Sequence, residues 1–367
     1  MAMLSQGSTA QATRSRVYGA DGPAYLRMGG AVILYALAAA GWIAYETSQR
    51  GQDEGDFFKA LWDPRAGLVP WAQTPNDWAL ITAALVAGAL ALGRRRVARG
   101  ALMLLAVVLI GLSLRELVGL AVSDGYRSMF DQLDYGTWLI VFRVAGLIVG
   151  TGVLIEMVRA GRLAGGPQPI GAPHAGYGAP NAGYGTPYAA PHDATPGGHG
   201  PAGYGPPIPG YRPATTRPGF IAAGVSLLLC GAAAFGWLVY RLTRSEVYLV
   251  GGTYGGNTSA EDFFRNVVDA SHGPSIPYTF HTIAMVMAPL LVGIFLLRGF
   301  AAARGAALTL AFISLYLDVR GLVPVFADGQ FDAYFDSTVG TLALLTTFLT
   351  VPLMIVAVVT LLRTPEE

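Results

Sequence analysis

Eight stretches of the chain are apolar almost without interruption, near 28–48, 77–93, 100–122, 137–158, 219–241, 278–298, 302–326 and 338–362, and the polar residues gather between them. A helix rises about 1.5 Å per residue and the hydrocarbon layer is roughly 30 Å thick, so each stretch has the length of a membrane crossing, the second being the shortest. The pattern predicts an all-α integral membrane protein with eight transmembrane helices. Arg27 precedes an apolar run that reaches Ala38-Ala39-Ala40, which gives the first stretch the look of a signal peptide.

An internal duplication argues that this first helix is retained. Gly41-Trp42-Ile43-Ala44-Tyr45 matches Gly236-Trp237-Leu238-Val239-Tyr240, and Asp56-Phe57-Phe58-Lys59 matches Asp262-Phe263-Phe264-Arg265 in the loop that follows. Ala98-Arg99-Gly100-Ala101 matches Ala303-Arg304-Gly305-Ala306, Arg115 falls on Arg320, and Phe130-Asp131 falls on Phe335-Asp336. The matches keep their order, with offsets drifting only from 195 to 206. The chain therefore reads as two tandem repeats of a four-helix unit, 28–160 and 219–363. An even number of crossings per unit makes them parallel rather than inverted, related by a pseudo-two-fold axis along the membrane normal.

Residues 161–218 join the repeats, and 27 of these 58 residues are Gly or Pro. Such a segment has too little apolar surface to bury and is expected to be disordered. It carries Ala-Gly-Tyr-Gly-x-Pro at 175–180, 182–187 and 202–207, which suits either a plain tether or a multivalent contact made through tyrosines. Short tails, 1–27 and 364–367, complete the chain.

Positive charge sets the orientation. With the N-terminus inside, 14 basic residues lie on the inner side and seven on the outer, whereas 16 acidic residues lie outside and four inside. Arg94-Arg95-Arg96 with Arg99 is the strongest local signal. Both termini and the linker are expected in the cytoplasm of a plasma (inner) membrane protein. Composition agrees: 53% of residues are hydrophobic and 13% charged, about half the roughly 25% usual in soluble domains. A net charge of +1 offers no field for nucleic acid, and the lone Cys230 excludes an intramolecular disulfide and a Cys-based metal cage.

Candidate chemistry lies where charge enters the apolar stretches. Arg115-Glu116 and Asp318 with Arg320 interrupt the third and seventh, and Arg143 and His281 sit near the outer ends of the fourth and sixth. Intramembrane charge is costly and marks either pairing between helices or a polar pathway. Arg115 is sixteen residues beyond Arg99, roughly 24 Å along a helix, where an arginine can also snorkel to the outer headgroups. The six residues form a candidate outward-facing polar layer, serving either structure or a substrate.

Other features read more plainly. Asp124, Asp131 and Asp134 correspond loosely to Asp328, Asp332 and Asp336, and without a calcium-loop spacing they suit a solvated acidic rim better than an ion site. The Asp56–Trp62 loop and its partner after Glu261 look like amphipathic interfacial segments. The sequon Asn257-Thr258-Ser259 matters only in a eukaryotic secretory route. Gly146-x-x-x-Gly150 permits close helix packing, and Pro289 and Pro352, mid-helix in the second repeat, are absent from the first. Of five histidines only His272 and His281 lie outside the linker, so paired mid-membrane haem ligands are absent. No zinc-protease, nucleophile-elbow or phosphate-loop motif occurs.

The duplicated multi-pass core, the Arg-heavy composition and the Tyr-Gly-Pro segment resemble uncharacterised multi-pass envelope membrane proteins of actinobacteria. The resemblance is one of layout and carries no site residues. The sequence thus leads to a non-enzymatic scaffold or accessory subunit of a cell-envelope assembly, with the lipid bilayer and envelope proteins reached through the linker as partners. No catalytic residue, metal or cofactor is expected. The alternative is a transporter, channel or lipid-handling protein with an outward polar cavity between the repeats.

Overall fold

The computed structural model describes residues 22–49, 55, 59, 61–63, 75–131, 136–164, 218–243, 276–327 and 331–364. They form α1 (Gly22–Gln49), α2 (Pro75–Leu92), α3 (Val97–Val122), α4 (Asp124–Asp131), α5 (Gly136–Ala164), α6 (Pro218–Thr243), α7 (Ile276–Leu297), α8 (Ala301–Ala327), α9 (Phe331–Phe335) and α10 (Thr338–Arg363). Among the described residues there is no strand. Residues 161–164 of the expected linker continue α5 and Pro218 begins α6. The rest of the linker, the first 21 residues, Asp56–Phe58, Asp134, the sequon, Asp262–Arg265, His272 and Asp328 lie outside the described residues.

Six helices, α1, α3, α5, α6, α8 and α10, are long and apolar enough to cross a membrane, the mark of a multi-pass membrane protein. The apolar parts of α2 and α7, Asp77–Leu92 and Thr282–Leu297, are shorter. The helical state follows from the solvent: in hydrocarbon every backbone N–H and C=O must find its partner within the segment, and a helix does this locally. Side-chain hydroxyls obey the same demand. In α10 the hydroxyls of Thr346, Thr347, Thr350 and Thr360 each donate to a carbonyl three or four residues earlier. Pro289, Pro324 and Pro352 lie inside α7, α8 and α10.

α1, α2, α3 and α5 close into one ring of neighbours, and α6, α7, α8 and α10 into another. Small residues let backbones approach within each ring. A β-carbon added to Gly29 would stand 2.9 Å from the Gly88 carbonyl oxygen, and one on Gly88 would stand 3.0 Å from that of Gly29. Gly224 and Gly293 make the same mutual approach between α6 and α7, at 3.1 and 3.0 Å. The turns into α3 and α8 also agree. Gly93, Arg94 and Arg95 donate to Ala89, Ala91 and Leu90, as Arg298, Gly299 and Phe300 donate to Ile294, Leu296 and Phe295. The left-handed residue of the turn is Arg94 (φ 53°) in one case and Gly299 (φ 75°) in the other.

The two rings meet mainly along α3 and α8, with α8 also resting on α2. The contact is reciprocal. A β-carbon on Gly100 would collide with the carbonyl oxygen of Ala302, and one on Gly305 would collide with that of Val97. Ala98, Ala101, Ala303 and Ala307 are buried alongside. Nearby, Arg99 Nε donates to the Met157 carbonyl at 3.0 Å and Arg304 Nη2 to the Leu361 carbonyl at 2.8 Å, so each arginine satisfies a late carbonyl of its ring's last helix.

Candidate functional site

The intramembrane charges do not gather into a single cluster. They divide among three places, all toward the ends of the helices opposite Arg99 and Arg304.

In the first ring Glu116 of α3 faces Arg143 of α5, with Oε2 2.5 Å from Nε. Tyr35 of α1 joins them: Arg143 hydrogen-bonds its hydroxyl, and its ring stacks on Phe142 with centroids 4.7 Å apart. Arg115 and Glu116 are both buried, each 9% exposed, so neither runs out to the rim. Neighbours on a helix point about 100° apart, which is why Glu116 pairs across to α5 and not with Arg115 beside it. Such a pair offsets the cost of taking two charges out of water only while both members are present.

The second place joins the rings. Asp63, just after helical Leu61 and Trp62, is fully buried and is one of the charges acting on Arg320 of α8. One turn below Arg320, Tyr316 donates its hydroxyl to the Leu61 carbonyl at 2.6 Å. A loop of the first ring is thereby fastened to a helix of the second by a hydrogen bond, with Asp63 within electrostatic reach of Arg320.

The third place is in the second ring. Asp318 of α8 hydrogen-bonds Thr350 of α10 and lies within electrostatic reach of Cys230 of α6. Asp318 and Arg320, two residues apart, project about 200° apart and do not face each other. Among the described residues Asp318 forms no ion pair. Ser314, one turn earlier on the same face, is buried with no hydrogen-bond partner for its hydroxyl among the described residues.

Comparison of the chain with protein-family models, curated proteins and solved structures finds no match. The site is therefore read from its own geometry.

Of the six residues singled out from the sequence, Glu116 and Arg143 come together, Arg320 lies within electrostatic reach of Asp63, and Asp318 lies with Thr350. Arg115 is buried in α3, and the side chain of His281 lies outside the described residues. Tyr35, Asp63, Cys230 and Thr350 complete these clusters, and none was among the candidates. Among the acidic residues between the helices, Asp124 is highly exposed and pairs with Arg127, and Asp332 and Asp336 are exposed. Among the described residues no three metal-ligating side chains converge. A cavity of about 460 Å³ beside the far end of α8 is lined by Val319, Leu322, Val323, Phe326 and Ala327, all apolar.

Proposed function

We propose that the protein is a non-enzymatic scaffold or accessory subunit of a cell-envelope assembly, built from eight transmembrane helices in two tandem, parallel four-helix repeats. The observation that carries this reading is that intramembrane charge is consumed in fastening helices. Glu116–Arg143 ties α3 to α5, and the Tyr316 hydroxyl on the Leu61 carbonyl ties one ring to the other where Asp63 and Arg320 attract each other. The duplication is supported by the recurring glycine approaches, turns and arginine–carbonyl bonds, and the pseudo-two-fold by the reciprocal Gly100–Ala302 and Gly305–Val97 contacts. The excess of basic residues at the Arg99 and Arg304 ends supports cytoplasmic termini in a plasma membrane. The linker is the segment offered to envelope partners.

Two alterations of the full-length protein separate this reading from transport. A well-packed neutral replacement of the Arg320 contact, Arg320→Met with Asp63→Leu, leaves a scaffold folded and still recovering its cross-linked membrane partners, while deletion of 163–216 abolishes that recovery. The opposite result, partner recovery unaffected by the deletion and cellular function abolished by the folded, abundant double variant, would sink the scaffold reading. Transport is favoured by one observation only, the solitary carboxyl of Asp318.

A further inference from the structure

The two rings also differ at the ends where Arg99 and Arg304 lie. Arg27 of α1 and Arg159 of α5 stand there at matching depth, each five residues, roughly 7.5 Å, inside the end of its helix. Between them is Glu156, with Oε2 3.5 Å from Arg27 Nη2 and Oε1 3.5 Å from Arg159 Nη1. Among the described residues this carboxylate is the only acidic partner of either arginine, so the three side chains keep one positive charge in excess. Both contacts are long, and the arginine side chains are 67% and 71% exposed against 26% for Glu156. Ion pairs this open contribute little to stability.

The second ring lacks this arrangement. The Gly-Trp-x-x-Tyr motifs are 195 residues apart, which sets Ala222 of α6 against Arg27. The arginine acceptors Met157 and Leu361 are 204 apart, which sets Thr360 and Arg363 of α10 against Glu156 and Arg159. One cation there takes the place of two. In the first ring the faces beyond the two arginines continue apolar and open. Residues three, seven or eleven apart share a helix face, so Gly30 and Leu34 follow Arg27, and Gly152 and Ile148 follow Arg159. Leu34 and Ile148 are 70% and 66% exposed, and nothing stands within 4 Å of a β-carbon added to Gly30 or Gly152. Cations at the helix ends with bare apolar surface beyond them complement a molecule that is anionic at one end and hydrocarbon at the other.

We propose that Arg27 and Arg159 bind the headgroup phosphate of an anionic phospholipid in the leaflet at the Arg99 and Arg304 ends. Each guanidinium offers a fork of N–H donors that holds a phosphate by charge-assisted hydrogen bonds. The acyl chains lie along the Gly30 and Gly152 faces, which a free phosphate would leave unused. Glu156 holds the two forks toward each other and competes with the phosphate, so the lipid stays exchangeable. The excess positive charge selects a headgroup with net negative charge over phosphatidylcholine, whose quaternary ammonium cancels its phosphate. The inference stands independently of the scaffold reading.

The test is native mass spectrometry of the full-length protein, released from detergent carrying phosphatidylglycerol or phosphatidylcholine of the same acyl chains. The expected result is preferential retention of phosphatidylglycerol, reduced about thirtyfold when Arg27→Gln and Arg159→Gln are combined. Arg363→Gln, at the corresponding cation of the second ring, leaves it unchanged. Glu156→Gln retains more phosphatidylglycerol than the unaltered protein, because the competing carboxylate is gone; a bridge that only fastened helices would give no such gain. Equal retention of the two lipids, a preference that survives the double variant, or an equal loss in Arg363→Gln overturns the proposal. So does displacement of phosphatidylglycerol by excess inorganic phosphate, which would make a free anion the ligand. Should the double variant not fold, Glu156→Gln decides: increased retention supports the site, and unchanged or lower retention refutes it.

Discussion

The first ring pairs a buried carboxylate with a cation across its helices, and among the described residues the second does not. In the first, Tyr35 fills the gap above Gly146, and Glu116 and Arg143 neutralise each other beside it. At the matching places the second ring has Cys230, Thr350, Gly321 and Thr347, with Asp318 where the first has the neutral Ser113. Similar helix rings thus carry a salt bridge in one case and, in the other, an acid with no ion pair among the described residues. Two similarly packed helix rings can differ in chemistry, because helix approach depends on the small residues at the contact while chemistry depends on a few side chains one or two turns away.

The strongest way to break the comparison is to attack what the rings share. Gly100→Leu and Gly305→Leu each place a side chain against the opposing backbone, where there is no flexible group to yield. Both are expected to abolish recovery of a monodisperse folded protein, and by the same extent, as read by size-exclusion chromatography and a disulfide introduced between α3 and α8. A large effect of one and a small effect of the other would end the claim of a reciprocal contact.

Next comes the salt bridge that only the first ring has. Glu116→Ala leaves Arg143 buried without its carboxylate and should cost about 3–5 kcal/mol, seen as a lowered unfolding midpoint in detergent. Thr347→Val, at the position corresponding to Arg143, should leave the midpoint nearly unchanged. Gly146→Thr imports the residue of the second ring into the first and crowds Tyr35 and Ser113, a loss of about 1–3 kcal/mol typical of overpacking. Adding Tyr35→Cys removes the ring it collides with, so the double variant should regain part of that loss. If it does not, Tyr35 with Gly146 and Cys230 with Thr350 do not occupy equivalent places.

The smallest effect belongs to the turns. Arg94 holds a left-handed conformation that costs a side-chain-bearing residue about 1 kcal/mol, and Gly299 occupies the same place freely. Arg94→Gly should raise the unfolding midpoint and Gly299→Ala should lower it by a similar amount. Retention of an arginine at a strained position is consistent with its value as a positive charge beside the membrane.

The helices were legible because hydrocarbon length and uninterrupted apolarity are local properties, and all eight stretches coincide with helices whose ends differ by a few residues. Partnership among the charges was not. Adjacent letters such as Arg115-Glu116, or Asp318 and Arg320, suggest clusters, yet one or two steps along a helix turn side chains apart. Asp63 lies outside every long helix, and nothing in its surroundings announces that it will be buried within electrostatic reach of Arg320. Tyr35, Cys230 and Thr350 look like ordinary members of apolar helices. The signal that could have found them was the set of matched motifs, had their offsets been carried to every position between.

The meeting of Gly100 with Gly305 has a consequence for biosynthesis. The first four-helix unit emerges from the ribosome with a bare backbone groove on α3, and the complementary groove on α8 is translated some two hundred residues later. Until then the earlier unit must wait in the bilayer with that groove covered by lipid. Because the described contacts between the rings lie in these two grooves and at Leu61, the protein should assemble when synthesised as two separate polypeptides divided within 165–217, each inserting independently and finding the other in the plane of the membrane.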